Sequence, residues 1–213
     1  KLQSHHFRII YKHKAVYNMI VNTHILMSQI LYKHISKDMN FKLDRVAFGY
    51  GNIKPDFNNK DINREHTLDE SLYEVNKYSE ELMSKDISIK EFSKSLGVIC
   101  HFACDYFCLY HREGNEKKGV IEHMAYESIL HVKLLAILLR GKLKLNNHEI
   151  LEVSVENIAL SLQEKYKSES NSLTKDITYA LAGALQISEL IVCSAQFNYQ
   201  QKGLNIPSKY QLN

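Results

Sequence analysis

"HFACDYFCLYH", residues 101–111, places two histidines and one aspartate in an otherwise apolar run near the middle of a 213-residue chain. His101 and Asp105 are four residues apart, so on a helix they share one face, one turn from each other. That spacing lets an imidazole and a carboxylate grip one metal ion. It equally suits a solvent-facing His–Asp pair or a core histidine with a satisfied ring, and the motif alone leaves these readings open. "HMAYE", 123–127, repeats the offset with His123 and Glu127, and His111 stands in the break between the two segments. Two antiparallel helices joined by a short loop can bring these five side chains into one cleft. Burying so many ionisable groups without a cation costs on the order of several kcal/mol per ion. A metal cluster offsets that cost, because it keeps the imidazoles neutral and the carboxylates charged.

The rest of the chain reads as helix. Only two prolines and eight glycines occur, so little interrupts long helical segments. Apolar residues at helical spacing predict helices over about 23–35, 67–83, 88–110, 120–139, 148–166 and 173–197. "TLDE" (67–70) and "SIKE" (88–91) carry the Ser/Thr-x-x-Glu signature of a capping box and open two of them. "FGYGNIKPDFNNKDIN", 48–63, is rich in Gly, Asn and Asp, contains Pro55, and reads as a loop. No β-alternation of useful length and no internal repeat occurs. The expectation is a single-domain, all-α bundle of about six helices, buried enough in a chain of this length to remove roughly 70% of the unfolded surface from water.

Composition bounds the function further. Hydrophobic residues make up 45% and charged residues 24%, which is ordinary for a globular protein. The formal charge of +3 forms no Lys/Arg run, so there is no strong nucleic-acid signal. No run of 18 apolar residues predicts a transmembrane segment. The four cysteines read as reduced, and Cys100, Cys104 and Cys108 fall on one helical face.

The ordered motif set resembles the zinc-dependent phospholipase C family, whose all-helical core is shared by the fungal single-strand nucleases. The resemblance runs over roughly residues 20–200 and is sharpest in the pattern His, three residues, Asp, five residues, His, a gap, then His, three residues and an acid. "NTHILMSQ", "GNIKPDF" and "REHTL" match the family's earlier pieces. The resemblance implies two or three zinc ions. His66, His101 and Asp105 would hold one, with Asp56 beside it as the candidate catalytic base. His111, His123 and Glu127 would hold a second. Asp105 would bridge to a third with His24 and a free N-terminal amine. Glu at 127 matches the phospholipases; the related nucleases usually carry Asp there.

The chain departs from the family at its start. The family's mature chains begin with Trp, and this sequence has no Trp and places 23 residues before His24. One expectation is that Met19 is the start, with a helical domain over 19–213 and an N-terminal extension over 1–18. The other is a third site that is weak, empty or completed by water. His5, His6 and His13 fall in that extension and read as irrelevant to catalysis. "KLQSHHFRIIYKHKAVYN" does not resemble a secretory signal, so the compartment stays open between the cytosol and the export usual in the family.

Bland readings hold for the other candidates. His34 and His148 suit helix ends or solvent. His131 suits solvent exposure rather than a supporting role behind the metal. Cys104 and Cys108 suit small buried hydrophobes rather than ligands. Tyr50 and Phe57 suit either a pocket wall or packing at the solvent edge. An HD-type phosphohydrolase needs a His-Asp dipeptide, and a ferritin-like centre needs Glu and His three apart; neither occurs. The expected function is hydrolysis of phosphodiesters, first as a phospholipase C on phospholipid head groups, with peripheral membrane contact through the helical domain. The alternatives are a single-strand nuclease or 3′-nucleotidase, and a catalytically impaired zinc-binding module.

Overall fold

A computed structural model describes residues 21–58, 60–111, 119–143 and 154–201. All regular structure among these is helical, with no strand. In chain order the helices are α1 (21–37), α2 (Arg45–Gly51), α3 (Lys54–Phe57), α4 (Leu68–Ser84), α5 (Ile89–Asp105), α6 (Val120–Leu139), α7 (Val155–Ser168) and α8 (Leu173–Gln201), with a 3-10 turn at Leu109–His111. The extension over 1–18, Met19, His5, His6, His13, His148 and most of the polar break at 112–119 lie outside the described residues.

The helix starts follow from local chemistry. The Thr67 hydroxyl accepts the Glu70 N–H, and at α5 both halves of the Ser88–Glu91 capping box form. Ser154 Oγ accepts the Asn157 N–H and caps α7; residues 148–153 of the helix that the periodicity predicts lie outside the described residues. α5 is the centre of the bundle. From Leu96 to Asp105 every residue is buried, and the helix packs against α2, α4 and α8. α8 closes the other side against α4, α5, α6 and α7. Its Leu173–Gln196 segment is long and apolar enough to cross a membrane, yet more than half of its most apolar window is buried in the bundle.

The segment expected as a loop, 48–63, instead contains the end of α2 and all of α3. Asp44 Oδ1 caps α2 through the Ala47 N–H at 2.9 Å, and Pro55 sits in the first turn of α3, where its missing N–H is harmless. The glycines are there for contact. A Cβ on Gly51 would lie 2.1 Å from the Lys94 carbonyl oxygen, and one on Gly97 would lie 2.3 Å from the Phe48 carbonyl oxygen. α2 and α5 therefore touch backbone to backbone. A second difference concerns the end of α5. The helix stops at Asp105 rather than Tyr110, and residues 106–111 wind into a tight turn with Cys108 N–H to Asp105 O at 2.9 Å and His111 N–H to Cys108 O at 3.1 Å. His34 does not face water. It is buried in the last turn of α1, with Asp38 Oδ2 and Glu189 Oε1 each 2.8 Å from a ring nitrogen.

Gly97→Ala should force the two helices apart and destabilise the chain by about 2 kcal/mol, read as a drop of roughly 4–8 °C in Tm by calorimetry. Gly49→Ala, whose Cβ would meet only Ser28 Oγ at 3.9 Å, should leave Tm unchanged or raise it.

Candidate metal centre

The first cluster forms around the end of α5. His101 and Asp105 point the same way from its last turns, 0% and 4% exposed. His101 Nδ1–H donates to the Asn52 carbonyl oxygen at 2.8 Å, which fixes the tautomer and leaves a lone pair on Nε2. That carbonyl is delivered by the close α2–α5 contact. Asp105 receives three rings from three elements. His66 Nδ1, just ahead of the α4 cap, and His101 Nε2 lie 2.9 and 3.1 Å from Oδ2, and His24 Nε2 on α1 lies 3.2 Å from Oδ1. Asp56, on α3, places Oδ1 3.6 Å from His101 Nε2. His66 Nδ1 and His101 Nε2 are only 3.2 Å apart, and the His24 and His101 rings stack at 4.1 Å.

The second cluster lies between the 106–111 turn and α6. Glu127 Oε1 is 2.8 Å from His123 Nε2 and 3.4 Å from His111 Nε2. Tyr110 stacks on His123 at 5.1 Å and orients the ring. Cys108 Sγ joins these three, with all four ligand atoms within 4.8 Å of one another. His66 and His111 face each other at 5.9 Å and link the two clusters.

Three buried atoms in these clusters have no hydrogen-bond partner: His24 Nδ1, Asp56 Oδ2 and Glu127 Oε2. A buried polar atom left unpaired costs about 1–3 kcal/mol, so two carboxylate oxygens without donors mark where positive charge is missing. The donor set of imidazoles and carboxylates suits zinc. His24, His101 and Asp105 could hold one ion, as could Asp56, His66 and His101. The residues present therefore fit a zinc cluster. Burial alone would push Asp105 up, but the charges of His101, His111 and His24 outweigh it and hold the carboxyl well below the usual range. Burial likewise opposes ionisation of Glu127, and hydrogen bonds from His111 and His123 outweigh it, lowering its pKa to about 2. Burial pulls His111 down, and Asp105 and Glu127 more than reverse this, so its pKa is raised.

All eight residues singled out from the sequence, His24, Asp56, His66, His101, Asp105, His111, His123 and Glu127, come together in these two linked clusters. His131 stays outside, bonded through Nδ1 to Thr23 Oγ1 at 3.1 Å. Tyr50 and Phe57 are exposed. Asn52 was invisible to sequence reasoning because its backbone carbonyl carries the contact.

The all-helical scaffold thus gathers imidazoles and carboxylates at the end of one buried helix, in groups that could hold a metal ion. The description of the zinc-dependent phospholipase C family matches residues 23–178, more than half of the chain, and the chain belongs to that family. No curated protein and no solved structure matches it significantly.

Zinc added to chelator-stripped protein should raise Tm progressively with concentration, since it binds the folded state. Asp105→Asn should lower that rise, leaving the part due to the His111, His123 and Glu127 group, and His131→Ala should keep it in full. A rise in Asp105→Asn equal to wild type would remove Asp105 from the centre.

Proposed function

We propose that this chain is a zinc-dependent phosphodiesterase, a phospholipase C that releases the phosphorylated head group of a phospholipid. The observation that carries the reading is the Asp105 cluster, in which three imidazoles converge on one buried acid and a second carboxylate, Asp56, lies beside the His101 ring. Family membership supports this reaction class. His66, His101 and Asp105, with Asp56, would hold one ion; His111, His123 and Glu127 a second; Asp105 and His24 a third. When bound, zinc supplies charge to neutralise phosphate oxygens and acidity to ionise a water near neutral pH.

The chain's own residues would do the rest. Asn52 holds the His101 ring so that Nε2 faces the cluster. Asp56 has one oxygen directed toward His101 and a second, buried one with no donor. That second oxygen is the base: it accepts the proton of the attacking water as the new O–P bond forms and the bond to the diacylglycerol oxygen breaks in line, and the departing alkoxide takes a proton from solvent. Glu127 at the family's acid position supports a lipid over a single-stranded nucleic acid, and assays on both substrates separate these readings.

The outward face of α6 supports a lipid surface as the partner that presents the substrate. Ile121, Ile129, Val132 and Leu139 recur at helical spacing and are 57–88% exposed. Arg140 and Lys142 stand at the end of this stripe, where they complement anionic head groups. Among the described residues nothing covers it.

Asp56→Asn should lower kcat for head-group release by about 10²–10⁴ while the zinc content, by elemental analysis, falls by no more than one ion. Chelation should abolish turnover and zinc should restore it; equal rates with and without chelator would overturn the proposal. Ile129→Glu combined with Val132→Glu should weaken co-sedimentation with anionic phospholipid vesicles and leave hydrolysis of a soluble short-chain ester intact. Unchanged vesicle binding would remove lipid from this face.

A further inference from the structure

We propose that Cys108 is a fourth protein ligand of the ion held by His111, His123 and Glu127, making that site a closed thiolate centre. The inference rests on the metal-centre reading and is independent of whether the centre hydrolyses anything. The Cys108 sulfur, one nitrogen each of His111 and His123, and one oxygen of Glu127 all lie within 4.8 Å of one another. Ligands around a tetrahedral zinc, with bonds of about 2.0–2.3 Å, stand roughly 3.3–3.7 Å apart. Closing the difference takes only small side-chain movements.

The local structure aims this thiol and no other. Cys100 Sγ pairs with Ser188 Oγ at 3.1 Å, and Cys104 Sγ reaches the Ala180 carbonyl at 3.8 Å, so both are spent in the α5–α8 interface. Cys108 lies beyond the end of α5, in the turn fixed by its own N–H to Asp105 and by His111 N–H to its carbonyl. That turn carries it from the α5 face toward α6. Independently, Glu127 is 8% exposed and its Oε2 is buried without a partner, so the same space holds a carboxylate oxygen with no donor.

The chemical consequence is specific. On coordination the thiol proton leaves to solvent and the sulfur takes its place on the ion. Four protein ligands leave no position for water or substrate, which is the mark of a structural zinc site. A thiolate also favours zinc, cadmium and cobalt over magnesium and calcium. The ion at Glu127 then ties the 106–111 turn to α6, and hydrolysis is confined to the Asp105 cluster with Asp56.

The test uses the full chain stripped of metal and loaded with Co²⁺. The wild type should show a near-ultraviolet sulfur-to-cobalt charge-transfer band, and Cys108→Ser should lose it while keeping the visible d–d bands. X-ray absorption of the zinc-loaded wild type, which needs no variant, should show a sulfur neighbour at about 2.3 Å. Since loss of a ligand's supporting partner alone weakens metal affinity 10–100-fold, Cys108→Ser should weaken one site roughly tenfold or more. No charge-transfer band in the wild type, a band that survives in Cys108→Ser, or a shell of nitrogen and oxygen only would each overturn the inference. A band in a protein that hydrolyses no phosphodiester would sink the proposed reaction and leave this ligand standing. Hydrolysis without the band would do the reverse.

Discussion

Asp105 sits where imidazoles from α1, the approach to α4, and α5 converge, and its charge is what makes their convergence tolerable. A carboxylate that is 4% exposed is far from water, and desolvation works against its ionisation. His24, His66 and His101 lie within 3.2 Å of its two oxygens and replace that water. The same acid can bridge two cations because each oxygen faces a different partner set. Removing it would leave several rings with no common anion, so the site and the packing of three elements stand or fall together.

The scaffold is built to deliver that geometry. His101 would be free to rotate or change tautomer without the Asn52 carbonyl. That carbonyl reaches it because Gly51 and Gly97 let α2 and α5 approach closer than any side chain permits. Downstream, the turn after Asp105 redirects the chain so that Cys108 and His111 face α6, where His123 and Glu127 wait one helical turn apart. Two clusters thus grow from one helix end, one before the turn and one after it. Binding of divalent cations would couple folding of the turn to occupancy of the centre.

The fold class was legible from helical spacing, and an offset of four put His101 with Asp105 and His123 with Glu127; His24, Asp56 and His66 share no such spacing and were legible only through the family resemblance. Both Ser/Thr-x-x-Glu signals mark real helix starts for the same local reason. The glycine-rich stretch misled because glycine signals both turns and close approach, and at Gly51 the second meaning holds. His34 gave no sign of Asp38 and Glu189, since one of its partners lies 155 residues away. Cys108 is buried, as its pattern implies, but the expectation that α5 continues to Tyr110 hid its neighbours. On an unbroken helix it falls in line with Cys100 and Cys104 and reads as core. The helix ends at Asp105, and the turn gives Cys108 a different set of neighbours.

The central claim is that buried acids and imidazoles gather here because divalent cations bind among them. A zinc-edge anomalous difference map from crystals of the zinc-loaded chain tests it most directly. The account predicts one peak or more around Asp105 and a separate peak among His111, His123 and Glu127. A map with no density between these side chains would contradict it.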